Sequence, residues 1–238
     1  MKKEVGFSIG TLYGKDLTLA EKVSLLSGEH IATIELSFWE INQFLKADLE
    51  PVKDQLLSDF SSLSLHTPWK WIIYADDTTT REVLKKLESW HKDFNFSGIV
   101  IHPDIVSDFY MLDVSGLPFC MENVDSRKTF GTHPEHFHEI IQKYNFGFVL
   151  DVEHAYEHDP EMRLAKELVH LMWDRLKHMH VSWCSKDQLH VPVYLSENED
   201  SIRDFLSSAP TVPYILEWVL DGDIGAGIHL EYNYISSL

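Results

Sequence analysis

A single (β/α)8 TIM barrel spanning residues 1–238 is the fold that this sequence predicts. Three observations predict it. Eight short runs rich in Val, Ile, Leu and Phe recur along the chain. Amphipathic helical patterns fit between them, the alternation that builds a parallel sheet covered by helices. The 238 residues contain no Gly/Ser/Pro-rich linker and come close to the ~250 that such a barrel uses. An open doubly wound sheet is the structural alternative. Against it, "FSIGTLYGKD" after the first run lacks the G-x-G-x-x-G of a phosphate-binding turn.

The elements follow in order. Strands are read in "VGFSIG" (5–10), "IATIELSF" (31–38) and "SLSLHT" (62–67). A helix over 79–91 sets Val83, Leu84, Leu87 and Trp90 on one face. Strands "SGIVIH" (97–102) and "LPFCMEN" (117–123) come next, and Thr132 with Glu135 has capping-box spacing. After "FGFVLDV" (146–152), Asp159-Pro160 reads as an N-cap followed by Pro at the first helical position. That helix runs over 160–176 on Leu164, Leu168, Leu171, Met172 and Leu176. "HMHVSW" (178–183) is the seventh strand, Ser196 and Glu199 repeat the capping-box spacing, and "YILEWVL" (214–220) is the eighth strand. The tail "IGAGIHLEYNYISSL" supplies a last, weaker helix. Runs this apolar are expected to be buried on both faces.

The formal net charge is −18, from 38 acidic and 20 basic residues. Such a field repels phosphate backbones and disfavours bulk binding of nucleic acid, although bound cations would create a local positive site. Fourteen histidines are available to help hold them. Cys120 and Cys184 sit in apolar, strand-like runs and are expected as reduced buried thiols. The N-terminal apolar run is too short for a signal peptide, and no segment reaches membrane-spanning length. A cytoplasmic protein is the expectation.

The chemistry stands at the strand ends. Glu35, His66, His102, Glu122, Asp151, His180 and Glu217 fall near the ends of consecutive strands, and His154 and His190 follow just beyond the sixth and seventh. Parallel barrel strands all deliver their C-terminal ends to one mouth, where active sites of this fold lie. Each residue has a plain alternative. His66 and His102 suit hydrogen-bonded loop histidines, Glu122 a strand-end carboxylate, and Asp151 a helix cap or turn. Glu217 inside "YILEWVL" requires a partner. Carboxylates and imidazoles gathered at one mouth repel or sit desolvated unless a divalent ion joins them. Asp151 and His154 meet at one site only if the chain turns near Val152–Glu153.

The ordered fragments "SLHTP", "IHP", "MEN", "LDVEH", "HVSWCSKDQLHVP" and "LEW" resemble the xylose-isomerase-like barrel superfamily, which includes the sugar phosphate isomerases and epimerases and the endonuclease IV family (AP endonuclease family 2). In the isomerase and epimerase branch, the resemblance implies one metal held by Glu122, Asp151, His180 and Glu217. His154, Lys186 and Trp69 would then contact substrate. In the endonuclease IV branch it implies three zinc ions on nine ligands, of which His66, His102, Glu122, Asp151, His154, His180, His190 and Glu217 match eight. The ninth position holds Gln188 where an Asp belongs, with Asp187 one place off.

The leading expectation is a metal-dependent sugar or sugar-phosphate isomerase or epimerase. One to three divalent ions (Mn, Zn, Co or Mg) would stabilise an enediolate, with Glu122 and Glu217 moving the proton. The substrate is a small sugar or sugar phosphate. A polynuclear zinc phosphodiesterase resembling endonuclease IV is the alternative, and a non-catalytic sugar- or metal-binding barrel is a third. Trp39, Trp69, Trp183 and Trp218 either wall the site or pack the barrel.

Overall fold

All eight expected strands form, and they close on themselves. In a computed structural model, which describes residues 3–27, 31–185, 188–195, 199–219 and 224–238, the strands are β1 (Val5–Ser8), β2 (Thr33–Ser37), β3 (Ser62–His66), β4 (Gly98–Ile101), β5 (Phe119–Glu122), β6 (Gly147–Asp151), β7 (Leu176–Val181) and β8 (Tyr214–Leu216). Each pairs in parallel with the next in sequence order, and β8 pairs back onto β1. Ten α-helices cover the described part of the barrel: α1 (Leu19–Leu26), α2 (Ile41–Lys46), α3 (Lys53–Asp59), α4 (Thr78–Phe94), α5 (Phe109–Asp113), α6 (Pro134–Lys143), α7 (Val152–His158), α8 (Arg163–Leu171), α9 (Glu199–Ser208) and α10 (Ile224–Ser237). No described helix is long and apolar enough to cross a membrane.

The strands are buried on both faces, but the faces differ in chemistry. Phe7, Ile34, Leu36, Leu63, Leu65, Ile99, Ile101, Phe148, Leu150 and Leu216 join the helices in one continuous hydrophobic core. Their alternate neighbours point into the barrel. There the buried residues are Thr33, Glu35, Ser64, His66, Glu122, Asp151, His178 and His180, with Val100, Cys120 and Val149 as a separate small apolar cluster. Barrels of this type are ordinarily filled by bulky branched side chains. This one sets carboxylates and imidazoles beside that small apolar cluster. Close approach of the first two strands depends on Gly6, where an added Cβ would lie 2.1 Å from the Thr33 carbonyl oxygen.

Helix starts differ from expectation where side chains outcompete simple spacing. α4 is capped by Asp77, whose Oδ1 accepts from the Thr80 amide, and its expected apolar face is buried. α6 does not use Thr132 and Glu135. Instead His136 Nδ1 accepts from the Thr132 and His133 amides. Asp159 is not the N-cap and Pro160 is not helical: the helix begins at Arg163 behind Met162, which turns the chain with φ 57°. Asp159 Oδ2 instead accepts from the Arg163 and Leu164 amides across that turn. A separate helix, α7, intervenes directly after β6. The cap expected at Ser196 lies outside the described residues. Both cysteines are free thiols, Cys120 buried and Cys184 half-buried.

Candidate metal centre

The turn required to bring Asp151 and His154 together is present. Asp151 ends β6 and is also the N-cap of α7: its Oδ1 accepts from the His154 amide at 2.8 Å. One helical turn therefore carries His154 back over the strand end. Asn123 clamps the same point, accepting from the Asp151 amide and donating to the Asp151 carbonyl, both at 2.8 Å. The cap and ligand readings of Asp151 thus use different atoms. Oδ2 is buried without a hydrogen-bond partner. Asp151, Glu122, His180 and Glu217 each offer a ligand atom, and these atoms lie within 4.8 Å of one another.

His180 and Glu122 sit at the centre. His180 Nδ1 lies 2.9 Å from Glu122 Oε1 and 3.0 Å from Glu217 Oε2. The other oxygen of Glu122 faces His66 Nε2 at 3.0 Å and His102 Nε2 at 3.1 Å. His66 donates its Nδ1–H to the Thr67 carbonyl at 2.9 Å, and His154 donates its own to the Asn123 carbonyl at 2.9 Å. In the neutral rings that bond leaves each Nε2 as a bare lone pair, the arrangement that orients metal-binding histidines. A bare Nε2 facing a carboxylate needs a proton or a cation between them.

The electrostatics agree. Burial opposes charge on Glu122, but the His180 and His102 imidazoles outweigh it and hold the carboxyl well below the usual range. Burial likewise opposes charge on His180, yet Glu35, Glu122 and Glu217 raise it well above an ordinary imidazole. His154 is pushed up to about 9, because Asp151, Glu122 and Glu153 overcome its burial. Asp151 is raised by burial, with His154 and His190 only partly offsetting it. These are the responses of a ligand set whose missing charge is positive. The donors fit a divalent ion on one observation above all: Asp151 Oδ2 is a buried carboxylate oxygen with no hydrogen-bond partner.

The structure also places residues that sequence reasoning passed over. Glu153 is fully buried with both oxygens unpartnered, and burial together with Asp151 pushes its carboxyl up to about 8. It groups with His154 and His190, with His190 Nε2 at 3.7 Å. Gln188, where the resemblance expects an acid, is exposed, and the acid that groups with these two histidines is Glu153 from α7. His190 has φ 51°, a strained region for a non-glycine residue, and Ser182 Oγ holds its Nδ1 at 3.0 Å. Glu35 and His178 form a further buried group with His180. The period-two pattern of β7 is the available signal, since His178 and His180 share one face.

Among the tryptophans, Trp183 and Trp218 are buried packing. Trp69 stands at the mouth, its ring 4.8 Å from that of His66 and 5.6 Å from that of His102. Trp39 and Tyr13 continue this wall, stacked 3.5 Å apart. Lys186 and Asp187 lie outside the described residues.

The protein is therefore a closed parallel barrel whose buried His/Glu clusters are able to coordinate metal. No family model and no curated protein matches the sequence. Solved structures match throughout the chain. A D-tagatose 3-epimerase-like protein aligns over 100% of this chain and 96% of its own, with a TM-score of 0.70 at 14% identity. Endonuclease IV from Thermus thermophilus aligns over 99% of this chain and 100% of its own, with 0.71 at 13%. The 3-keto-D-glucoside 4-epimerase of E. coli aligns over 100% of both chains, with 0.66 at 12%. At these identities the likeness is one of fold: this chain has the (β/α)8 barrel common to the sugar epimerase and endonuclease IV structures.

Proposed function

We propose that the protein is a metal-dependent isomerase or epimerase of a sugar or sugar phosphate. The observation that carries this reading is the quartet Glu122, Asp151, His180 and Glu217, in which Asp151 Oδ2 is free to bind and two carboxylates flank one imidazole. A divalent ion there supplies the positive charge that eases ionisation of a C–H bond beside a carbonyl. Glu217 is the base. Its side chain is 19% exposed against 1% for Glu122, so it is the more open of the two to the mouth. Oε1, the oxygen not engaged by His180, takes the proton. Glu122 is the second carboxylate of the exchange. The Tyr13–Trp39–Trp69 wall supplies flat apolar faces for a sugar ring, and His154 Nε2 holds a substrate oxygen. Lys186 is proposed to bind a hydroxyl or phosphate. The strongly acidic chain favours a small substrate over a nucleic acid.

One observation favours a second reading. His66 and His102 converge on the far oxygen of Glu122, and Glu153, His154 and His190 form a third group. Three linked groups suit a polynuclear zinc phosphodiesterase. Incubation of metal-loaded protein with ketoses and ketose phosphates in deuterated water separates the two. The isomerase reading expects deuterium at the carbon beside the carbonyl, slowed about 10²–10⁴-fold in Glu217→Gln. Cleavage of abasic-site DNA without such exchange establishes the hydrolase instead.

A further inference from the structure

Below the mouth, on the barrel axis, three ligand atoms form a nearly equilateral triangle. Glu35 Oε2 lies 3.3 Å from His178 Nε2 and 3.3 Å from His180 Nε2, and the two imidazole nitrogens are 3.3 Å apart. All three residues are buried, Glu35 and His180 completely. Edges of this length are those of one face of a tetrahedron whose centre lies about 2.0 Å from each corner, the zinc–ligand distance for imidazole and carboxylate. Hydrogen bonding accounts for the arrangement less well. Charge-assisted N–H···O bonds are shorter, about 2.7–2.9 Å. Glu35 Oε1 is buried without a hydrogen-bond partner, yet it lies 3.1 Å from His180 Nε2, in reach of the same centre. Ser64 Oγ donates to Oε2 at 2.9 Å and fixes the carboxylate from behind, as outer-shell donors do at metal sites. Gly98 keeps this layer open: an added Cβ there would lie 3.0 Å from Cys120 Sγ and 3.9 Å from His178 Cε1.

We propose that Glu35, His178 and His180 form a second, interior metal site that takes a tetrahedral divalent ion of the zinc class. It uses His180 Nε2, whereas the quartet at the mouth uses His180 Nδ1, so either site fills without the other. When both fill, His180 bridges them as imidazolate, its remaining N–H proton passing to solvent. The Glu35 carboxylate and a neutral His178 contribute lone pairs, and the ion keeps its charge. Two nitrogens and a carboxylate in a tetrahedral frame select zinc, or cobalt as its replacement, over magnesium or manganese.

Anomalous scattering at the zinc edge from crystals of zinc-saturated wild-type protein is the test, since it needs no variant and reports each site by position. A peak about 2.0–2.1 Å from Glu35 Oε2, His178 Nε2 and His180 Nε2 is expected. Absence of that peak at saturating zinc overturns the proposal, whether or not the quartet is filled. In solution, folded Glu35→Gln and His178→Gln each hold one zinc per chain fewer than wild type. A folded variant of either kind that retains the full complement also overturns it.

Discussion

Glu122→Gln is expected to lower metal affinity by more than about 100-fold and to destabilise the chelated protein by about 3–5 kcal/mol. The affinity figure is a lower bound, because loss of a mere outer-shell partner already costs 10–100-fold. The stability figure follows from burial. Glu122 is 1% exposed, and its two oxygens face His180, His66 and His102 at 2.9–3.1 Å. The surrounding carboxylates hold His180 and His66 above an ordinary imidazole against their burial. Replacing one oxygen by an amide turns a donor towards donors and leaves buried imidazolium charge uncompensated, which is the costly way to break a buried ion pair. Urea unfolding of both proteins in chelator reads the stability, and metal titration reads the affinity. An unchanged midpoint with unchanged metal binding would show that Glu122 is not the centre of the cluster.

Chelation of the wild type is the second large effect. A ligand present at about a thousand times its dissociation constant stabilises by about 4 kcal/mol. At about 2–4 °C per kcal/mol for a chain of this size, Tm should fall by roughly 8–16 °C when the metal is removed. The gap depends on pH, with a definite sign. Glu35, Glu122 and Glu217 hold His180 well above its usual value against its burial, so an incoming ion must displace a proton from it. Affinity therefore rises with pH. The Tm difference between loaded and chelated protein should widen from pH 6 to pH 9, by differential scanning calorimetry. A constant difference would place the bound ion elsewhere.

Much of the fold can be read from the sequence because each strand carries its own signal. Runs such as "IATIELSF" and "FGFVLDV" are apolar on the face that meets the helices, and Asp, Glu or His stands at or near the end of most of them. Parallel topology then brings those endings to one mouth, which is why Glu122, Asp151, His180 and Glu217 converge as expected. The two faces of each strand are harder to separate. Small inward residues such as Ser64 and Cys120 look like ordinary strand filler in a one-dimensional pattern, so His178 stays hidden and Glu35, legible as a strand-end acid, is not joined to it. Glu153 escapes the pattern for a different reason. It lies outside the strand, and only the immediate start of α7 after Asp151 turns it inward. Helix starts at Pro134 and Arg163 depart from simple spacing because His136 and Asp159 reach amides that the sequence pattern does not reveal.

Metal bound at the strand ends is measured most directly as the metal content per chain of wild type and Asp151→Asn after equilibration with zinc or manganese and removal of free ion. The substitution keeps an oxygen to cap α7, so the fold is retained, while the unpartnered Oδ2 is replaced. At least one tightly held ion per wild-type chain, and one fewer in the folded variant, is the expected result. A folded wild type that holds no ion, or an Asp151→Asn protein that binds the same number with the same affinity, would contradict it.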